Sequence, residues 1–216
     1  MSTQAEENYL KAIFKLSGKK KESVSTNAIA EELQTKASSV SDMVKKLSEK
    51  NLINYVKYKG VSLTKGGYDL AVNIVRKHRL WEVFLVNHLN FKWDEVHDIA
   101  EELEHIKSLE LVNKLDAFLS HPNYDPHGDP IPDADLRLTD DELRPLSTLV
   151  AGERATIRRV PDNEECILAE LCDLGMVPGQ AVELRESSTG DGSLTVAVSG
   201  QEQIVSVELA RQIGVA

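Results

Sequence analysis

The stretch from Arg76 to His105 places histidines and glutamates at helical spacing on two consecutive predicted helices. His78 and Glu82 are four residues apart, so they share one face of a helix. A second stripe, at positions i, i+4, i+7 and i+8, consists of His97, Glu101, Glu104 and His105. Imidazole nitrogens combined with carboxylate oxygens are ligands that divalent transition metals bind. The stretch therefore predicts a metal site on a helical scaffold.

The same spacing is also typical of a solvated helix face, where i,i+4 pairs of charged residues are common. The apolar residues of the second helix, Val96, Ala100 and Leu103, point away from the stripe of histidines and glutamates. The stripe is therefore exposed unless another helix covers it. Spacing alone leaves both interpretations open, and the flanking sequence has to decide between them.

Size and composition are those of a folded chain with one large domain or two to three small ones. The 216 residues are 41% hydrophobic, and no stretch resembles a membrane span or a signal peptide. The two cysteines, Cys166 and Cys172, match neither a CxxC motif nor a disulfide framework. These features predict a cytoplasmic protein with no membrane partner.

Charge is distributed unevenly along the chain, whose net charge is −10. Residues 1–77 contain 14 Lys/Arg and 8 Asp/Glu, whereas residues 78–216 contain 11 Lys/Arg and 27 Asp/Glu. A basic first third favours polyanion binding that is confined to one domain. The acidic remainder is either a store of carboxylate ligands or only a solubilising surface.

The basic part has the pattern of a helix-turn-helix. Residues 4–17 form a first predicted helix, Ser25 or Thr26 caps a short second one, and a third opens at Ser38 after a turn. In this motif the first turn of the last helix enters the major groove, and nearby lysines contact phosphates. The predicted DNA contacts here are Lys36, Ser38, Ser39, Ser41, Asp42, Lys45 and Lys46.

A predicted hairpin follows directly. Residues 53–63 read as two short strands around a Lys-Gly turn. A hairpin after a helix-turn-helix predicts a winged helix, with Lys57, Lys59 and Tyr58 at the DNA backbone. The alternative is an unrelated small α+β domain whose lysines are only solvated. Helix lengths, turn, hairpin and local basicity together favour the winged helix.

The middle of the chain is predicted to be helical. Thr64 caps a long helix that runs to about Leu89, and further helices are predicted over residues 94–106 and 107–119. A helix of this length in a small protein needs a partner, and two winged helices on one duplex require a dimer. We therefore expect a homodimer.

The rest of the chain reads as a proline-rich linker followed by a small β domain. Residues 120–133 hold four of the seven prolines and predict a loop. Polar residues between prolines are usually turn formers, so the predicted metal site leaves out His121, Asp125, His127 and Asp129. Residues 147–216 contain short β-type runs around one helical segment near residues 165–174, which predicts a small barrel.

These elements together closely resemble the diphtheria-toxin-repressor family of metal-dependent transcriptional repressors, including its manganese-sensing branch. The most specific motifs are Arg76-Lys77-His78-Arg79-Leu80 with Glu82, Val96-His97-Asp98, and Glu104-His105. Residues 171–179 resemble a FeoA-like SH3-like domain, and residues 129–132 resemble the family's linker. The expected fold is mainly α, with a winged helix-turn-helix DNA-binding domain at residues 1–64, a helical dimerisation and metal-binding domain at residues 65–138, and a small SH3-like β-barrel at residues 139–216.

The resemblance implies two sites for Mn²⁺ or Fe²⁺. The primary site would contain Glu101, Glu104 and His105, together with Asn8 or Glu7 from the first helix. The second site would contain His78, Glu82 and His97, with Glu164 or Glu165 as a further ligand. Glutamate at position 101 resembles the manganese branch, because the family's iron sensors have a cysteine there. In the first helix, Lys11 replaces a glutamate of the manganese branch.

The expected function is that of a repressor, not an enzyme, that binds operator DNA as a dimer when loaded with metal and controls metal-uptake genes. Metal would neutralise mutually repelling carboxylates and fix the first helix. One alternative is a winged-helix regulator triggered by an organic ligand. Another is a di-metal carboxylate enzyme, since residues 102–105 contain one E-x-x-H motif. The preferred function involves no small organic substrate.

Overall fold

The first helix starts where its capping residues predict. In the computed structural model, α1 (Gln4–Ser17) begins after Thr3, whose side chain accepts a hydrogen bond from the Glu6 backbone N–H at 3.3 Å. The Glu6 side chain in turn accepts a hydrogen bond from the Thr3 backbone N–H at 3.0 Å, which completes a capping box. The predicted helix over residues 4–17 is confirmed.

The structure describes residues 2–18, 21–57, 59–139, 141–162, 165–187 and 192–216, with the backbone alone at residues 165 and 166. The roles predicted for Tyr58, for Glu164 and for the Glu165 side chain lie outside what is described.

The chain forms two compact units. The first comprises Met1–His78, Glu101–Lys114 and Pro132–Arg137, and the second comprises Arg79–Ala100, Leu115–Ile131 and Leu138–Ala216.

The first unit contains the predicted winged helix. Its helices and strands are α2 (Thr26–Glu32), α3 (Ala37–Glu49), β1 (Ile53–Val56) and β2 (Gly60–Leu63). The Ser25 side chain caps α2, and the two strands pair antiparallel. Apolar side chains from α1, from α2 and α3 and from both strands share one core, which includes Leu10, Ile13, Ile29, Val40, Val44, Leu47, Ile53 and Val61.

Three further helices follow the wing. They are α4 (Lys65–Leu89), α5 (His97–Leu103) and α6 (Leu109–Phe118). The Thr64 side chain accepts a hydrogen bond from the Gly67 backbone N–H at 3.2 Å, as its predicted capping role requires. α6 starts later than predicted because Ser108 caps it through the Leu111 N–H, and α5 is shorter than predicted at both ends. None of the described helices has the length and apolar character that crossing a membrane requires.

The second unit contains a β domain. Its described strands are β3 (Arg144–Pro145), β4 (Arg154–Arg159), β5 (Ala181–Ser187), β6 (Ser193–Val198), β7 (Gln201–Ser206) and β8 (Gly214–Val215), and its helices α7 (Glu165–Asp173) and α8 (Val207–Gln212). The strands form an antiparallel sheet in the order β3-β8-β4-β5-β6-β7. On β6 every second residue is buried, namely Leu194, Val196 and Val198. The predicted fold class is confirmed, whereas β3, α8 and β8 were not predicted.

A buried carboxylate connects α1 to α3 within the first unit. Glu6 is fully buried, and its Oε1 accepts a hydrogen bond from Lys50 Nζ at 2.7 Å and lies 3.0 Å from Lys46 Nζ. Burial by itself raises the pKa of Glu6, but hydrogen bonds from Lys50, the Thr3 backbone and Lys46 outweigh it and lower the pKa to about 2. Lys46, a predicted phosphate contact, is thus also an anchor for α1.

Replacing Glu6 with glutamine is expected to lower the free energy of unfolding at neutral pH by about 1–2 kcal/mol, since charged hydrogen bonds are lost but both lysines are partly solvated. The pKa of Glu6 falls from 4.5 to about 2 on folding, so its stabilising effect is complete above 4.5 and is lost as the pH falls toward 2. Urea unfolding of wild type and E6Q across this range measures the effect. Glu49→Gln, at an exposed position of α3, is the control. An equal loss of unfolding free energy in E49Q would contradict this role for Glu6.

Candidate metal centres

Most of the predicted ligands fall into two clusters, each of which lies within one unit. The Lys11 cluster of the first unit consists of Glu7, Lys11, His78, Glu101, Glu104 and His105. The His127 cluster of the second unit consists of Glu82, His97, Asp125 and His127. α4 carries both His78 and Glu82, which the sequence assigned to one site. Within the first unit His78 pairs with Glu104, and the second site predicted from His78, Glu82 and His97 stays a prediction.

An ammonium group lies at the centre of the Lys11 cluster. Lys11 Nζ is 2.7 Å from Glu104 Oε2, 3.3 Å from Glu101 Oε1 and 3.3 Å from His78 Nδ1. His78 Nδ1 is also 2.7 Å from Glu104 Oε2, so its N–H donates to that carboxylate. Burial raises the pKa of Glu104, but the hydrogen bond from His78 and the positive charge of Lys11 outweigh it and lower the pKa.

The neighbouring pair in this cluster joins α1 to the residues after α5. Glu7 Oε2 lies 2.6 Å from His105 Nδ1, and the Ser2 hydroxyl donates to Glu7 Oε1 at 2.6 Å. Glu7 is buried, whereas Asn8, the alternative first-helix ligand, is exposed. The structure therefore favours Glu7 over Asn8 as the residue of α1 that reaches this cluster, although the ligand role of either residue stays a prediction.

As it stands, the Lys11 cluster does not fit a divalent metal ion. A metal ligand must present a lone pair, and an ammonium has donors only. Lys11 Nζ occupies the space between Glu101 and Glu104, two of the three ligands predicted for the primary site. Positive charge is thus already present between the carboxylates.

The His127 cluster brings together residues that are far apart in the sequence. Glu82, Asp125 and His127 are buried, and one donor atom from each lies within 4.8 Å of the other two. Glu82 Oε1 is 3.7 Å from His127 Nδ1 and 3.7 Å from His97 Nδ1. Two carboxylates with imidazole nitrogens form a donor set that suits Mn²⁺ or Fe²⁺. This cluster therefore fits a divalent metal ion.

A backbone carbonyl orients the His127 ring. Nε2 lies 2.8 Å from the Trp93 carbonyl oxygen, which can only accept, so Nε2 carries a hydrogen and Nδ1 faces Glu82. A hydrogen bond of this kind is the usual support for a metal-binding histidine. Burial lowers the pKa of His127, but the interaction with the nearby Glu82 carboxylate and the charge of Asp125 outweigh it and raise the pKa to about 9.

Asp125 holds the loop that carries His127. Its Oδ1 accepts hydrogen bonds from the backbone N–H groups of His127 and Asp129, both at 2.9 Å, and its Oδ2 lies 3.3 Å from Arg79 Nε. Burial and the charge of Glu82 raise the pKa of Asp125 to about 7, against the opposing effect of Arg79. Gly128 has φ +88°, and a Cβ there would stand 1.8 Å from the Arg158 carbonyl oxygen. The loop therefore has little freedom.

Sequence reasoning missed Asp125 and His127, which it treated as turn formers between prolines. Asp125 does form a turn, as its hydrogen bonds to the loop backbone show, but one of its carboxylate oxygens also lies within 4.8 Å of donor atoms of Glu82 and His127. A signal was available in the alternation of Asp125, His127 and Asp129. By contrast, His121 is largely exposed and pairs with Asp116, so its exclusion from the site agrees with the structure.

The residues predicted to contact DNA are exposed on the first unit. They are Lys36, Ser38, Ser39, Ser41, Asp42, Lys45 and Lys46 around the start and middle of α3, and Lys57 and Lys59 at the hairpin. Exposure is what contact with a duplex requires. Their role in DNA binding stays a prediction.

Comparisons with known proteins agree with this architecture. Residues 1–61 match the family described as "Iron dependent repressor, N-terminal DNA binding domain". Residues 64–133 match "Iron dependent repressor, metal binding and dimerisation domain". Residues 144–216 match "FeoA domain".

Individual relatives are similar over most of the chain. The iron-dependent repressor IdeR of Mycobacterium tuberculosis (strain ATCC 25618 / H37Rv) is 29% identical over 188 residues, which cover 82% of this chain and 81% of IdeR. A solved manganese-dependent transcriptional repressor in complex with manganese is 34% identical, with a TM-score of 0.90 over 98% of this chain and 99% of that chain. A probable metal transport system membrane protein of Chlamydia trachomatis is 49% identical over 71 residues, which are 33% of this chain and 16% of that protein.

The fold and these similarities define a winged-helix transcriptional repressor with a metal-binding helical domain. The chain belongs to the diphtheria-toxin-repressor family of metal-dependent transcriptional repressors, in the form that carries a FeoA domain. Because these relatives are repressors, the expectation of a non-enzymatic protein is supported and the di-metal enzyme is not.

Gly128→Ala is expected to destabilise the protein by roughly 3 kcal/mol or more. The added methyl group would clash with the Arg158 carbonyl, and alanine is strained at a positive φ. Gly152→Ala is the matched control, since Gly152 has φ +82° and no atom lies within 4 Å of the place that its added methyl group would take. The free energy of unfolding of the control variant should fall by only about 1–2 kcal/mol. Urea unfolding measures both, and equal losses would show that the loop is not held against Arg158.

Proposed function

We propose that this protein represses transcription by binding operator DNA as a homodimer when Mn²⁺ or Fe²⁺ is held by the His127 cluster. The observation that carries the proposal is the buried group of Glu82, Asp125 and His127, whose donor atoms lie within 4.8 Å of one another. Two hard carboxylates and a borderline nitrogen suit these metals better than a soft thiophilic ion.

Each residue of the cluster would have a defined role. Glu82 and Asp125 would bind through carboxylate oxygens, and His127 through Nδ1, because Trp93 engages Nε2. His97, whose Nδ1 lies 3.7 Å from Glu82, is a further donor. The bound metal supplies positive charge that neutralises the two carboxylates. His127 would have to be neutral at Nδ1 to act as a ligand, since only the neutral ring has a lone pair there.

The winged helix supports DNA binding. Ser38, Ser39 and Asp42 lie in the first turns of α3, the part of a helix-turn-helix that enters the major groove. Lys45, Lys57 and Lys59 are exposed and would neutralise phosphates. The excess of basic residues over residues 1–77 agrees with this role, in contrast to the acidic remainder of the chain.

A homodimer is supported by exposed apolar side chains as well as by the family description. Leu89, Phe91 and Phe118 are 51%, 38% and 60% exposed, so a partner subunit could cover them. The family match over residues 64–133 is described as a metal binding and dimerisation domain. Dimerisation would bury these side chains and present two winged helices to one duplex.

Genes for metal uptake are the proposed targets. A relative that shares 49% identity over 71 residues is described as a probable metal transport system membrane protein. A repressor that is active only when metal is bound would reduce uptake when metal is plentiful. Full control requires the metal to favour the DNA-binding state by roughly 5.5 kcal/mol.

Glu82→Gln and His127→Asn are each expected to weaken manganese-dependent DNA binding about 100-fold or more, because each removes a ligand. The probe is a duplex selected from a random-sequence pool by the manganese-loaded wild type, and binding is measured by fluorescence anisotropy with Mn²⁺ and with chelator. His121→Asn is the matched control, because its side chain is 73% exposed. If an organic effector but not Mn²⁺ changes wild-type DNA affinity, the proposed function is wrong.

Lys45→Ala is expected to weaken binding about equally on selected and unselected duplexes, since a phosphate contact carries no sequence information. The slope of the logarithm of affinity against the logarithm of salt concentration should fall by about 1. Lys114→Ala, which removes a 74% exposed lysine of α6, is the control. An unchanged salt slope in K45A would remove Lys45 from the DNA contacts.

A further inference from the structure

Lys11 contacts the groups that a bound cation would contact. Its Nζ lies 2.7 Å from Glu104 Oε2 and 3.3 Å from Glu101 Oε1. The side chain is only 18% exposed, and that of Glu104 is 1% exposed. An ion pair so shielded from water is stronger than one on the surface.

Charge in this cluster is close to balanced without a metal ion. The carboxylates are Glu7, Glu101 and Glu104, and the ammonium groups are Lys11 within the cluster and, beside it, the buried Lys77, whose charge interacts with Glu7 and Glu104. Burial lowers the pKa of Lys77, while the charges of Glu7 and Glu104 oppose that effect. Together the two lysines bring the same charge as one divalent ion. A metal entering here would have to displace the Lys11 ammonium from Glu104.

We propose that Lys11 is a built-in cation that excludes divalent metal from the Lys11 cluster and fixes α1 permanently. This inference rests on the proposed function, in which the His127 cluster is the metal-responsive site. A lysine is covalently attached, so the charge it provides does not vary with the metal concentration.

Because α1 is also attached to α3, fixing α1 fixes the position of α3 as well. Lys11 holds one part of α1 against Glu104, while Glu6 holds another part against Lys46 and Lys50 of the α3 region. Both attachments lie within the first unit and need no metal. The position of α3 relative to α1 is therefore the same with and without metal, and regulation acts through the His127 cluster.

Metal stoichiometry tests the proposal directly. After equilibrium dialysis against Mn²⁺, plasma mass spectrometry should find one ion per wild-type chain and two per K11M or K11E chain. Lys15→Met, which removes a partly exposed lysine of the same helix, should leave one ion. The double variant E82Q/H127N should hold none, and K11M in that background should regain one.

The outcomes separate this inference from the proposed function. If the wild type binds two ions and E104Q binds only one, the metal displaces Lys11 from Glu104 and the proposal is overturned. If K11M gains no ion, Lys11 is not what excludes it. If the wild type binds no ion while K11M binds one, the proposed His127 site fails but exclusion by Lys11 stands.

Hydrogen exchange provides a readout that does not depend on metal count. In chelator, α1 amides of K11M should exchange at least about tenfold faster than in the wild type, because a buried charged hydrogen bond is lost. Mn²⁺ should restore slow exchange in K11M, and K15M should match the wild type. Far-UV circular dichroism checks that each variant is folded. If the α1 amides of metal-free K11M exchanged as slowly as those of the wild type, Lys11 would not be what attaches α1.

Discussion

Buried carboxylates have to be matched by positive charge, and that constraint organises both units of this protein. Glu6, Glu82 and Glu104 are almost completely buried. Removing an ionised carboxylate from water costs several kcal/mol unless a cation or hydrogen bonds compensate. Lys46 and Lys50 compensate Glu6, and Lys11 with His78 compensates Glu104. These pairs attach α1 to the α3 region and to the residues that follow α5.

The two clusters meet this constraint with different kinds of cation. The Lys11 cluster uses an ammonium, which has no lone pair and so cannot become a ligand. The His127 cluster uses an imidazole, which pairs with Glu82 when protonated and presents a lone pair when neutral. In the proposed function His127 would exchange its proton for a metal ion, which the Lys11 ammonium cannot do. The proposed response to metal thus depends on the chemical difference between Lys11 and His127.

Local patterns predicted most of the fold because they reflect local physics. The capping box at Thr3 and Glu6, the Thr64 cap and the apolar periodicity of α3 depend on residues a few positions apart. β3 and β8 were missed because each is two residues long and exists only through pairing with a distant strand. The resemblance to the family likewise rested on short contiguous motifs, and the comparisons confirmed it.

The sequence by itself determined the winged helix, the helical middle, the β domain and the supply of histidines and glutamates. Tertiary structure alone decided how those side chains are used. Lys11 meets Glu104, which is 93 positions away, and His127 meets Glu82, which is 45 positions away. Helical spacing reports only on residues within one or two turns, so it cannot show which distant carboxylate faces a lysine and which faces an imidazole.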